Sequence, residues 1–183
     1  MTTQLAVRVQ AGDGEVADLP PLNIFRTLAR NESLMRGFLA LGSHLLGRHG
    51  LPGREREIVI LRIGWRCQSE YEFGQHTTIG RAAGLTDAEI AALADVGTVD
   101  WSPDDAALVA LADELCADDV VSDETWRRLT TRWSEEELLE ALVLAGYYRL
   151  VSGMLNSTGV ALEPGTPGWP EGAAARLRAP RTA

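Results

Sequence analysis

The sequence predicts an all-α fold, and three observations carry the prediction. Apolar residues recur at steps of three and four in several segments, as in Leu34, Phe38, Leu41 and Leu45, or Leu108, Leu111, Ala112 and Leu115. Helix-start signals recur along the chain, among them Thr86 followed by Glu89, Ser102 followed by Pro103, and Ser134 followed by Glu137. No run of alternating polar and apolar residues is long enough to build a sheet.

Residues 1–22 mix Gly, Asp and scattered Val without a period and read as an N-terminal arm ending at Pro20 and Pro21. A first helix is expected from about Asn23, through Ile24, Phe25 and Leu28. A second should run from about Leu34 to Arg48, with His44 and His49 near its C-terminal end, where a cation suits the helix dipole. The segment Gly50-Leu51-Pro52-Gly53 ends it, and a central pair of helices should occupy Arg54 to Gly84. Thr86 opens a short helix to about Asp95, Ser102 a helix through Leu115, and Ser122 another through Trp126 and Leu129. Behind Ser134, the run LLEALVLAGYYRLVSGML is apolar nearly all round and must be covered on most sides. Residues 23–162 thus form one helical domain, and residues 163–183, rich in Gly, Pro and Ala, an extended C-terminal tail.

Composition narrows the function classes. The 183 residues carry a net charge of -9 and a pI near 4.8, so nucleic acid and anionic membrane surfaces are not expected partners. Every one of the 17 basic residues is Arg. Chemistry that needs an amine, such as Schiff bases, pyridoxal-phosphate attachment or a P-loop lysine, is therefore excluded, and no cofactor is expected. Cys67 and Cys116 lie far apart in sequence and make no CxxC, so no zinc ribbon or dithiol pair can be read from them. Free thiols in a chain read as having no signal peptide and no apolar run of membrane-spanning length suggest a cytoplasmic protein.

Chemistry concentrates in the central pair. On a helix, Ser69, Glu72, His76, Ile79 and Ala83 share one stripe, which should face inward. A buried Glu and His one turn apart are costly unless paired, and such a pair can transfer protons. Glu57, set among Ile58, Val59, Leu61 and Ile63, is placed to point at the same interior. The bland alternative is an i,i+4 pair that only stabilises its helix. The three residue types also suit a metal, yet a second His motif is lacking and no metal is expected. Trp65, Cys67, Ser69, Tyr71 and Asn156 are candidates for contact with a substrate, against the plainer alternative that such aromatics, a lone Cys and a late-helix Asn are packing residues.

The motif Leu51-Pro-Gly-Arg-Glu-Arg-Glu57, then Tyr71-Glu72-Phe73, His76, Ala83-Gly84-Leu85-Thr86 and Glu89-Ile90 resembles the carboxymuconolactone decarboxylase family, which shares the all-α fold of alkylhydroperoxidase D, AhpD. The resemblance spans roughly Asn23 to Leu162 and implies small helical subunits that assemble as homo-oligomers (trimers, hexamers or dimers). In the peroxidase branch of that family a Glu is followed by CxxC and by a His four residues after the second Cys. Here Ser69 and Glu72 stand at the two cysteine positions, while Glu57 and His76 are kept. The redox dithiol of that motif is gone, which sets thiol peroxidase chemistry aside in favour of the decarboxylase branch, where acids and a His work without cysteines.

The expectation is therefore a cofactor-free enzyme that moves protons on a small organic acid, lactone or ketone, with His76, Glu72 and Glu57 as its catalytic residues. The alternatives are a peroxidase using Cys67, and a non-catalytic oligomer that binds a small ligand.

Overall fold

The computed structural model describes residues 20–47 and 50–177, and among them every regular element is helical. The order is α1 (Asn23–Leu28), α2 (Glu32–Leu45), α3 (Gly53–Arg66), α4 (Glu70–Ala82), α5 (Asp87–Leu93), α6 (Pro103–Asp118), α7 (Asp123–Leu129) and α8 (Glu135–Thr158), with a short 3-10 turn at Ala173–Arg176. Residues 1–19, which belong to the expected arm, and His49 lie outside the described residues.

The helix starts are set by local chemistry. Thr86 and Glu89, and likewise Ser134 and Glu137, each exchange side-chain and backbone bonds in a capping box. Ser102 and Ser122 accept from the backbone of Asp105 and Thr125, and Pro103 sits in the first turn of α6.

The centre of the molecule is α3, which packs against α4, α6 and α8. Ile58, Val59, Ile60, Leu61 and Ile63 are fully buried, so α3 is covered on all sides. Two of its arginines anchor it to its neighbours. Arg54 makes a two-pronged bond to Asp105 at 2.9 and 3.0 Å and a further bond to Glu89. Arg62 donates to Asp113 at 2.6 and 2.8 Å, to Asp95 at 2.7 Å and to the Leu93 carbonyl at 3.0 Å.

One part differs from the sequence reading, and another adds packing that the sequence did not show. The stripe on α4 points inward at Ser69, Glu72 and His76 but not at Ile79, which is 42% exposed; the inner face continues through Phe73, Thr77 and Gly80. A helix turns 100° per residue, and the face that meets α3 drifts off the Ile79 side. The segment after Glu163 is also no loose tail. Trp169 packs edge-on against Trp65 at 5.2 Å between ring centres and beside Phe73 at 5.1 Å. Glu163 accepts from the Asn23 backbone at 2.6 Å, from the Tyr71 hydroxyl at 2.8 Å and from Gln75. Composition rich in Gly and Pro signals the lack of helix, not the lack of packing.

Helix α8 is long and apolar enough to cross a membrane by length and composition, with 50% of its most apolar window buried in the protein. Its inward side, with Leu138, Leu144, Tyr148, Val151 and Leu155, belongs to the core. Its outward side carries Leu139, Val143, Gly146, Leu150 and Gly153, all exposed.

Candidate functional site

The structure brings Glu57, Glu72 and His76 together. His76 Nδ1 lies 2.6 Å from Glu57 Oε2, and His76 Nε2 lies 3.0 Å from Glu72 Oε1. Glu72 and His76 meet because four residues is one turn of α4. Glu57 reaches them because α3 and α4 approach closely at Gly80, where an added Cβ would stand 3.8 Å from Glu57 Cβ, 3.2 Å from Leu61 Cδ1 and 3.1 Å from Leu85 Cδ1.

All three side chains are buried, Glu57 completely and Glu72 and His76 to within 4% and 5% of full burial. Burial alone would push the imidazole down, away from its charged form. The charge of Glu57 and the hydrogen bonds from Glu57 and Glu72 outweigh it and raise His76 to about 10. At neutral pH the ring is therefore an imidazolium that donates from both nitrogens, one N–H to each carboxylate. Behind Glu57, Arg56 Nε stands 3.6 Å from Oε1 and its Nη1 donates to the Gly47 carbonyl at 2.9 Å. Tyr148 of α8 sets its ring edge-on to His76, with centres 5.0 Å apart. Burial, then the carboxylates of Glu72 and Glu57, push the Tyr148 phenol well up, so it faces the group as a neutral wall.

Two buried hydroxyls on the same two helices, those of Ser69 and Ser152, have no hydrogen-bond partner among the described residues. Ser69 precedes Glu72 by one turn, and Ser152 follows Tyr148 by one turn. Ser69 was marked in the sequence as a contact residue; Ser152 gave no signal there because an apolar helix hides its inner face.

The other expected contact residues are engaged elsewhere. Tyr71 donates to Glu163 and accepts from the Ile24 backbone at 3.3 Å. Trp65 Nε1 donates to Asp95 at 2.7 Å, and Asn156 Nδ2 donates to the Cys67 carbonyl at 2.9 Å. Cys67, at the end of α3, lies close enough to Cys116 of α6 to push the Cys116 thiol up, a meeting that the sequence separation concealed. A recess lined by Leu45, Leu51, Arg56, Glu140, Ala141 and Leu144 approaches the buried group only through Arg56 and encloses no water-sized space.

The arrangement of Glu57, Glu72 and His76 falls inside the stretch that has a known counterpart. Residues 32–114 match the carboxymuconolactone decarboxylase family. That span runs from the start of α2 into α6 and contains all three residues of the buried group, so the resemblance read from the motifs holds over that group. No curated protein matches the chain. Solved structures with the same fold include an Agrobacterium tumefaciens protein of unknown function, named as a candidate antioxidant defence protein AhpD. It shares 16% identity over 74% of this chain and 94% of its own, with a TM-score of 0.69. A peroxidase-related protein with an AhpD core from Ralstonia eutropha JMP134 shares 22% identity over 77% of this chain and 76% of its own, with a TM-score of 0.69. The debrominase Bmp8, in complex with 2,3,4-tribromopyrrole, shares 15% identity over 78% of each chain, with a TM-score of 0.69. At these identities the likeness establishes an AhpD-like all-α fold, and the family match covers residues 32–114 of it.

Proposed function

We propose that the protein is a cofactor-free enzyme that transfers protons on a small organic acid, lactone or ketone, as a decarboxylase, a related lyase or an isomerase. One observation carries this reading: His76 is held as an imidazolium between two buried carboxylates, one of which, Glu72, stands where the resembling peroxidase motif has its second Cys. Glu57, sealed from solvent, holds Nδ1 and sets the ring's orientation. Glu72, on the less sealed side, takes the Nε2 proton and passes it to substrate, or runs the relay in reverse as a base. In a decarboxylation, loss of CO2 leaves an enolate, and the group supplies the proton that quenches it. Ser69 and Ser152 offer the unengaged hydroxyls for a substrate oxygen. That a fold neighbour holds a tribromopyrrole agrees with a small ring as ligand.

The proposed enzyme is a cytoplasmic homo-oligomer. Leu139, Val143, Gly146, Leu150 and Gly153 follow one another at steps of four and three, the spacing of a helix seam, and the two glycines leave open space for close approach of a second helix. Exposed Leu34 and Leu41 of α2 add to the apolar surface.

The test is a screen of β-keto acids and carboxylactones for CO2 release or isomerisation, followed by His76→Gln on whatever turns over. A loss of about 10²–10⁴-fold with the fold preserved supports the reading. A lowered melting temperature with activity per folded molecule within a few-fold of wild type overturns it.

A further inference from the structure

The contact between Cys67 and Cys116 plays no part in the proton chemistry, and its surroundings are built. Cys67 caps the C-terminal end of α3, and Cys116 lies in the last turn of α6. Neither cysteine is in a disulfide, and both are half-buried and packed against the core. One face of α8 holds both segments. Arg149 Nη1 donates to the carbonyl of Leu115, the residue before Cys116, at 2.7 Å. Asn156, two turns further on that face, donates to the carbonyl of Cys67 itself at 2.9 Å. From the other side, Arg66 Nε stands 3.5 Å from Asp113, one turn before Cys116. The backbones that carry the two sulfurs are thus fixed by bonds to the residues themselves or their neighbours, which keeps the thiols facing each other.

We propose that Cys67 and Cys116 are a redox pair that closes to an intramolecular disulfide by exchange with a small-molecule disulfide, tying the end of α3 to the end of α6. The Cys67 thiolate attacks one sulfur of the small disulfide and releases one thiolate. Cys116 then loses its proton, attacks the Cys67 sulfur of the mixed disulfide and releases the second. Two protein thiols are oxidised, and one small disulfide is reduced to two thiols. The order follows from the contact: its hydrogen bond to Cys67, and then burial, push the Cys116 thiol up, so Cys116 keeps its proton while Cys67 reacts. The bond would also fix the turn Cys67-Gln68-Ser69, where Gln68 takes a left-handed φ of 54° and the chain enters the helix that carries Glu72 and His76.

The experiment equilibrates the full chain with oxidised glutathione, then measures iodoacetamide labelling, intact mass, tryptic peptides and melting temperature. Wild type is expected to lose both labelling sites, to lose two hydrogens in mass without gaining glutathione, and to yield the Cys67 and Cys116 peptides joined. The bond closes a loop of roughly 50 residues, so the melting temperature should rise on the order of 10 °C and fall back on reduction by a phosphine. Cys116→Ser should instead keep one glutathione on Cys67, the trapped first step. Glutathione on both cysteines of wild type, two thiols still open to labelling at equilibrium, or a bond between molecules in place of the internal one would overturn the proposal. The wild-type peptide map decides it even where a serine variant folds poorly.

Discussion

His76 Nδ1 sits 2.6 Å from Oε2 of Glu57, a residue 19 positions earlier on another helix, and neither group has more than a trace of contact with solvent. This bond, and the second one from Nε2 to Glu72, make the imidazolium a stabilising element of the folded state as well as a proton source.

The protonation of His76 predicts how stability depends on pH. The ring binds its proton up to about pH 10 when folded and to about 6.5 when unfolded, so between these values the native state holds the extra proton. The stabilisation is fully present below about pH 6.5 and is lost as pH rises through 10. Denaturant titrations across that window should show wild type weakening by an amount on the order of a few kcal/mol, with the slope absent in His76→Gln. A flat profile in wild type would mean the ring is neutral in the fold.

Glu72→Gln keeps the shape of the site and removes one of the charges that hold the proton. The imidazole should then titrate lower, and the alkaline limb of any activity profile should move to lower pH as the rate falls. Proton NMR of the His76 ring reads the same shift without needing a substrate.

Gly74 faces the chain after Glu163 so closely that an added Cβ would stand 2.2 Å from the Pro167 carbonyl oxygen. Backbone cannot yield as a side-chain tip does. Gly74→Ala should therefore cost about 1–3 kcal/mol and push the last segment off α4. Trp169 would lose its place against Trp65 and Phe73, so a red shift in tryptophan emission and faster proteolysis after Leu162 are the expected signs.

Arg62 is buried with partners on α6 and in the turn after α5, and its two aspartates are partly solvated. Arg62→Ala should destabilise by roughly 2–3 kcal/mol, short of the full cost of breaking a sealed ion pair, because water can reach Asp95 and Asp113. Thermal melts at low and high salt would show a small salt effect beside the large mutational one.

The outward stripe of α8 gives a prediction on assembly. Leu150→Glu sets a charge in the middle of that stripe without touching the core, since Leu150 is 60% exposed. Sedimentation should show wild type as a multimer and the variant as a monomer that is still helical. A wild-type monomer at micromolar concentration would contradict the proposed seam.

What the sequence disclosed and what it hid divide along physical lines. Capping boxes and the Ser102-Pro103 start are local, so α5, α6 and α8 begin where those residues predicted. The Glu72 and His76 pairing is equally local, one turn of helix, and Glu57 entered through its motif. Ile79 was misplaced because a stripe drawn at steps of three and four ignores which side the neighbouring helix covers. Cys67 with Cys116, Glu163 with Tyr71, and Tyr148 with His76 are meetings between distant segments, and no spacing rule contains them. Gly80 carried no signal either, although its missing Cβ lets α3 and α4 meet where Glu57 and His76 bond.

Glu163 bonds the backbone of Asn23, the hydroxyl of Tyr71 and the amide of Gln75, so the final stretch of the chain completes the packing of its earliest helix. During synthesis this sets an order of events. Glu57, Glu72 and His76 leave the ribosome early and can pair as soon as α3 and α4 form, but α1 and the outer side of α4 stay without their last partner until translation has passed Glu163. A chain stalled in α8 would carry its proton-holding group already assembled and its two ends still unjoined.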